Sequence, residues 1–305
     1  MWPRLRPDEE PRVWFARLKE DYLQSLFISG QRKIPIKSKR LERESNETYP
    51  FILPPAFQRM LFMDQIAAHD RTRPPSERDI LNCYLTSLFN AWLDNQNLHG
   101  GDKRWVVAFA PRLAWGKGGD RFFETYPDGR VISILRDPWS WYTSARGRER
   151  AEGGLGMDRL LERWKQSVRE MLAGKERYGS RLSVVRFEDL VSDTEQTMRA
   201  LVGYLGIDFD PQLCVPTFNR YPVGANSSYA VRQPGVLTDP LTRHRELLPD
   251  EDRALIGDEC QELYEQALAL VGFGGIEPPT DGHGPAETEA VMASAADGPS
   301  DAQTN

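Results

Sequence analysis

The chain has 305 residues, 40% of them hydrophobic, and a formal net charge of −6 at pH 7, long enough for a substantial core and too acidic for a general nucleic-acid binder. Its three cysteines, Cys83, Cys214 and Cys260, lie far apart with no paired spacing, so neither a disulfide framework nor a zinc site is expected, and a reducing compartment suits them. No apolar run approaches the length of a membrane span, and the charged start MWPRLRPDEEPRVW has no apolar signal core; a cytoplasmic protein with no membrane span is expected.

The first stretch with chemical character is FISGQRKIPIKSKR, residues 27–40. A strand that ends at Gly30 and runs into basic residues imitates a phosphate loop. The tight pattern, however, needs a second glycine and then Lys, where this chain has Pro35 and Ile36. Pro35 also lacks the N–H such a loop donates. The run from Arg32 to Arg43 therefore reads as a basic surface segment, open to an anionic acceptor such as an acidic glycan. In CYLTSLFNAW, Leu85, Phe89 and Trp92 recur at helical spacing and read as core rather than as a pocket wall.

Three short apolar runs then predict buried strands: Trp105–Phe109 (WVVAF), Val131–Leu135 (VISIL) and Leu182–Phe187 (LSVVRF). Helical patterns follow them. Met157, Leu160, Leu161, Trp164, Val168, Met171 and Leu172 predict one amphipathic helix. Ser192 with Glu195 predicts a capping box for a second, which stops near Gly206, and a third begins after Pro249 and carries Leu255, Cys260, Leu263, Tyr264 and Leu268. Strands alternating with helices imply an α/β fold with a central parallel sheet covered on both faces, and ligands of such sheets bind at the carboxyl ends of the strands. From about Ile276 to the end there is no Lys, Arg or aromatic residue, which predicts a disordered tail over 276–305.

The stretch VISILRDPWSWYTSARGR is the most informative. Arg136 leaves the second strand at its carboxyl end, Pro138 sits where a helix can begin, and Ser144 follows Arg136 by eight residues. Two turns into that helix, a hydroxyl can face the same anion as the guanidinium. A simple turn with a local ion pair accounts for the spacing equally well. Trp139, Trp141 and Tyr142 beside it either stack on a base or pack the helix onto the sheet.

RVISILRDPWSWYTSA resembles the 3′-phosphate-binding segment of PAPS-dependent sulfotransferases, bacterial type, in which a strand leads into R-[DN]-P and a Ser follows eight residues after the Arg. KRWVVAFAPRLAW, with Tyr126-Pro127 in place of a family turn, is similar to the segment upstream. RLSVVRFEDLVSDTEQTMRALVGYLGID resembles the family's Y/F-E-D-L … L-G-I segment, and ANSSYAVRQPGVLTDPLTRHRELL its late basic loop. The resemblance covers roughly residues 103 to 273. It implies a three-layer fold of the P-loop NTPase type over residues 1–275, with 1–102 a mostly helical acceptor-side region and 103–275 holding the sheet. It also implies transfer of a sulfuryl group from PAPS to a hydroxyl or amine on a small molecule or glycan, with no metal. Arg136 and Ser144 would hold the donor's 3′-phosphate, and Arg243, with Arg245 beside it, would contribute from the late loop.

The family's opening strand and P-[KR]-S-G-[TS]-[TS] loop have no counterpart here, while the segment from about Asp21 to Trp92 is similar to the region that follows that loop. The expectation is a sheet missing its first strand, in a chain that begins after its own phosphate loop. That leaves a non-catalytic adenosine 3′,5′-bisphosphate-binding module, or an inactive fragment, as the alternative to an enzyme. No general base is assigned. His69, His99, His244, Glu44, Glu47 and Asp64 stay open, and His283 is dismissed with the tail.

Overall fold

The computed structural model describes residues 5–19, 54–69, 72–92, 105–107, 113, 116–152, 156–218, 221–222 and 235–272. The segment 27–40, His99, Glu44, Glu47 and the tail 276–305 lie outside them.

Three helices make the N-terminal packing unit: α1 (Pro11–Arg17), α2 (Pro55–Ala68) and α3 (Glu77–Ala91). Helix α3 starts at a full capping box, in which the Ser76 side chain accepts from the Asp79 backbone and the Asp79 carboxylate accepts in return. Leu5, Trp14, Phe15, Leu18, Phe62, Ile80, Leu81 and Tyr84 form one buried cluster. Within it Phe15 lies 5.5 Å from Phe62 and 5.6 Å from Tyr84, ring centroid to centroid, inside the favourable range for tilted aromatic pairs. The buried stripe of α3 runs through Ile80, Tyr84, Leu88 and Ala91, so Leu85, Phe89 and Trp92 sit half-buried at its margin. Arg78 on α3 makes a two-pronged bond to Asp128 at 2.7 and 2.8 Å. Tyr126 donates to Asn82 at 2.8 Å. These contacts join α3 to the turn that follows α4 (Gly118–Thr125).

From that turn the chain enters β1 (Val131–Leu135), then α5 (Pro138–Glu152), α6 (Met157–Tyr178) and β2 (Leu182–Arg186). The strands pair in parallel, Val131 opposite Leu182 and Leu135 opposite Arg186. Parallel neighbours need a long crossover, which α5 and α6 supply. The molecule is thus α/β, as its sequence predicts. Strand β2 is buried on both faces, whereas β1 alternates and leaves Ile132 and Ile134 exposed. Two short helices follow, α7 (Phe187–Ser192) and α8 (Thr194–Leu205). After a small antiparallel pair, β3 (Thr217–Phe218) with β4 (Tyr221–Pro222), come α9 (His244–Leu247) and α10 (Asp250–Leu268). Beyond α10, Gly272 donates to the Val184 carbonyl at 3.0 Å at a φ of 139°, a conformation open mainly to glycine.

Leu160, Leu161, Trp164, Val168 and Met171 of α6 are buried as the spacing predicts, against Leu135, Val184, Ile256, Cys260 and Tyr264. Besides the exposed face of β1, expected as a strand covered on both faces, and the half-buried Leu85, Phe89 and Trp92, expected as core, three details differ from the sequence expectation. Of the expected strand Trp105–Phe109, residues 108 and 109 lie outside the described residues, and Trp105–Val107 form no strand, with Val107 82% exposed; an apolar run becomes a strand only where a neighbour pairs with it. The cap of α8 is Asp193, whose carboxylate accepts from Gln196, because the Ser192 hydroxyl is turned to the Glu188 carbonyl. The buried face of α10 runs through Ile256, Cys260, Tyr264 and Ala267, which leaves Leu255 exposed.

Candidate functional site

The site forms where β1 gives way to α5. Asp137 caps that helix, since its carboxylate accepts from the Ser140 backbone N–H at 2.8 Å and also from the Ser140 hydroxyl. Pro138 follows directly, and a proline in the first turn gives up no hydrogen bond while presetting the helical φ. Asp137, Ser140 and Thr143 are all buried.

Arg136 folds over this first turn. Its Nε donates to Ser140 Oγ at 3.0 Å and its Nη2 to Ser144 Oγ at 3.0 Å. Two serines four residues apart occupy one side of a helix, so the guanidinium and both hydroxyls converge. The Phe187 ring lies 4.4 Å from the guanidinium carbon, within cation–π range. The Arg136 carbonyl accepts from the Trp164 indole N–H at 3.0 Å. Arg136 is thereby held through its backbone by α6 and flanked by α5 and the first residue of α7.

Glu188 completes the support. Its Oε1 accepts from the Asp137 backbone N–H at 3.1 Å, and its Oε2 lies 3.2 Å from Arg186 Nε. Burial, helped by the nearby Asp137 carboxylate, pushes the Glu188 carboxyl up to about 7. The segment carrying α9 packs on α5. Burial there lowers the pKa of His244; Asp137 opposes that shift, while Arg245, Arg253 and Arg136 reinforce it.

The structure brings Arg136 and Ser144 together and adds Ser140. Arg243 is half-buried, with its guanidinium 3.7 Å from the Asp239 carboxylate; its neighbour His244 lies within electrostatic reach of Arg136. Arg245 is exposed. Tyr142 is buried in the core, Trp139 and Trp141 pack against that core, and the Trp139 indole donates to the Arg253 carbonyl at 3.1 Å. These rings pack the helix onto the sheet. His69 lies 3.2 Å from Asp79 at the start of α3, and Asp64 is exposed on α2.

Ser140, Phe187 and Glu188 escaped the sequence reading. The i, i+4 relation of Arg136 with Ser140 was a usable local signal. The contacts of Phe187 and Glu188 span about fifty residues and left no local pattern.

The guanidinium of Arg136 and the hydroxyl of Ser144 supply hydrogen-bond donors and positive charge at one point, a donor set that suits a phosphate-sized anion, while the Ser140 hydroxyl is committed to Asp137 and orients the guanidinium as an acceptor. Among the described residues, no cluster of three or more His, Cys, Asp and Glu could hold a metal, and no helix is long and apolar enough to cross a membrane. The family model described as "Sulfotransferase family" matches residues 38–211, a span that includes Arg136, Ser144 and Glu188 and ends before Arg243. No curated protein matches the chain. Among solved structures, one titled "Sulfotransferase Domain from the Curacin Biosynthetic Pathway" aligns at 19% identity over 71% of this chain and 82% of that one, with a TM-score of 0.41.

Proposed function

The chain belongs to the sulfotransferase family, and from that premise we propose that it transfers a sulfuryl group from PAPS to a hydroxyl or amine of a small-molecule or glycan acceptor. In that reaction the acceptor oxygen or nitrogen attacks sulfur in line. The bond from sulfur to the 5′-phosphate oxygen breaks, adenosine 3′,5′-bisphosphate leaves, and the acceptor proton passes to a base. Catalysis rests on placement and on donors aimed at the developing charge.

The observation that carries this reading is the convergence of Arg136, Ser140 and Ser144 at the end of β1, each bond at 3.0 Å. Arg136 and Ser144 grip the 3′-phosphate of the donor: the guanidinium offers two parallel donors and the hydroxyl a third. Arg243 adds charge from the segment that packs beside α5. The pairs that Arg136 now makes with the serines are neutral-acceptor bonds, so exchanging one for a bond to a dianionic phosphate is favourable. The cytoplasm, where PAPS and reduced cysteines coexist, is the proposed compartment.

The test is product formation. Incubation with PAPS and a panel of phenol, alcohol, amine and sulfated-glycan acceptors should release adenosine 3′,5′-bisphosphate in an acceptor-dependent way. A folded chain that binds the bisphosphate yet releases none with any acceptor would contradict the transferase reading.

A further inference from the structure

The Arg136 turn has a partner outside its own segment. Asp137 N–H, immediately after Arg136, donates to Glu188 Oε1 at 3.1 Å, and Phe187, the residue before Glu188, lies under the Arg136 guanidinium at 4.4 Å. The first two residues of α7 thus contact both the backbone and the side chain of the β1–α5 turn. No helical bond of α5 uses the Asp137 N–H, so this buried donor depends on Glu188 for its acceptor. Only 14% of the Glu188 side chain is exposed.

We propose that Glu188 is a positioning residue for the nucleotide site: its carboxyl oxygen fixes the peptide from which Arg136 departs and so holds the guanidinium aimed at the phosphate. The inference rests on the bisphosphate-binding reading above. Glu188 acts through Arg136 and does not itself touch the nucleotide.

Its surroundings add a signature that a purely structural residue would lack. Facing Glu188 are Asp137 from the β1–α5 turn, Arg186 at the end of β2, Asp189 on α7 beside Arg186, and the Tyr264 hydroxyl from α10, with Arg136 and His244 beyond Asp137. The phosphate would add two negative charges close to a carboxyl that burial already holds near neutrality. A like charge favours the protonated form. By linkage, deprotonating Glu188 must weaken nucleotide binding.

The experiment is calorimetric titration of adenosine 3′,5′-bisphosphate into the full chain, Glu188→Gln and Glu188→Ala, at pH 6, 7 and 8, with thermal unfolding of each. Gln keeps the acceptor oxygen and loses the charge; Ala loses both. We expect Glu188→Ala to bind about tenfold more weakly, because an Arg136 guanidinium no longer held in place must be ordered when the nucleotide binds, with Glu188→Gln restoring affinity at pH 6. The ratio of wild-type to Glu188→Gln association constants should fall by about threefold or more from pH 6 to 8, a comparison in which the titration of the nucleotide cancels.

Should Glu188→Ala fail to fold, the Glu188→Gln ratio decides alone: a pH-independent ratio overturns the inference. So does a folded Glu188→Ala that binds like the wild type, while wild-type binding that Arg136→Ala abolishes leaves the function reading standing. A wild-type chain that does not bind the nucleotide overturns both.

Discussion

Trp164 supports the site from beneath, and Trp164→Phe isolates that support. The indole N–H donates to the Arg136 carbonyl at 3.0 Å, the residue is only 3% exposed, and its ring lies 6.3 Å from Tyr264, centroid to centroid. Phenylalanine keeps an aromatic ring at the β1–α6 contact and deletes the donor. Leaving a buried carbonyl unpaired costs about 1–3 kcal/mol, and the smaller ring adds about 1 kcal/mol of lost packing. The expected destabilisation is therefore about 2–4 kcal/mol, a large part of the roughly 5–15 kcal/mol that holds a domain folded. At about 2–4 °C per kcal/mol for a domain of this size, Tm should drop by roughly 5–15 °C. Urea unfolding followed by tryptophan fluorescence and by circular dichroism would measure it, with the m-value as a check on two-state behaviour. Nucleotide affinity of the folded fraction should fall too, because the carbonyl being released belongs to Arg136. Unfolding within about 0.5 kcal/mol of the wild type, with unchanged affinity, would refute the idea that α6 pins the strand end.

Two further outcomes follow from particular groups. Glu188 titrates near 7 when folded against an ordinary 4.5, so the folded state holds its proton more tightly and stability must fall as pH rises between those values. Glu188→Gln should come close to the wild type near pH 4.5 and exceed it at pH 8 by roughly 3 kcal/mol, measured by denaturant unfolding at both pH values; equal stability throughout would remove the burial argument. At the start of α8, Asp193→Ala should cost about 1 kcal/mol and Ser192→Ala less than about 0.5 kcal/mol, since Asp193 is the residue whose carboxylate accepts from Gln196. The reverse order in thermal unfolding would show the cap misassigned.

How much of this was legible depended on how far apart the cooperating residues stand. Strand β1, the core of β2 and the buried stripe of α6 were readable because hydrophobic period alone specifies them. For Arg136 and Ser144 the spacing allowed a shared anion site and a simple turn equally, and the family resemblance, not the helix start, chose the pairing that the hydrogen bond between them displays. Two adjacent capping residues, Ser192 and Asp193, could not be ranked, because the hydroxyl had a competing acceptor in the preceding turn. On α10 the choice between Leu255 and Ile256 was set by which side of the helix packs on α6, a tertiary quantity. Trp105–Val107 had the composition of a strand, and composition does not supply the neighbour. Glu188 stood inside a recognisable segment, yet its link to Asp137 exists only once β1 and β2 are paired, Leu135 opposite Arg186.

Calorimetric titration of adenosine 3′,5′-bisphosphate into the full chain distinguishes a 3′-phosphate grip formed by Arg136 and Ser144 from a turn with no ligand. One binding site is expected, which Arg136→Ala abolishes and Ser144→Ala weakens by about tenfold, the loss of one charge-assisted hydrogen bond. Undiminished affinity in a folded Arg136→Ala chain would contradict the grip.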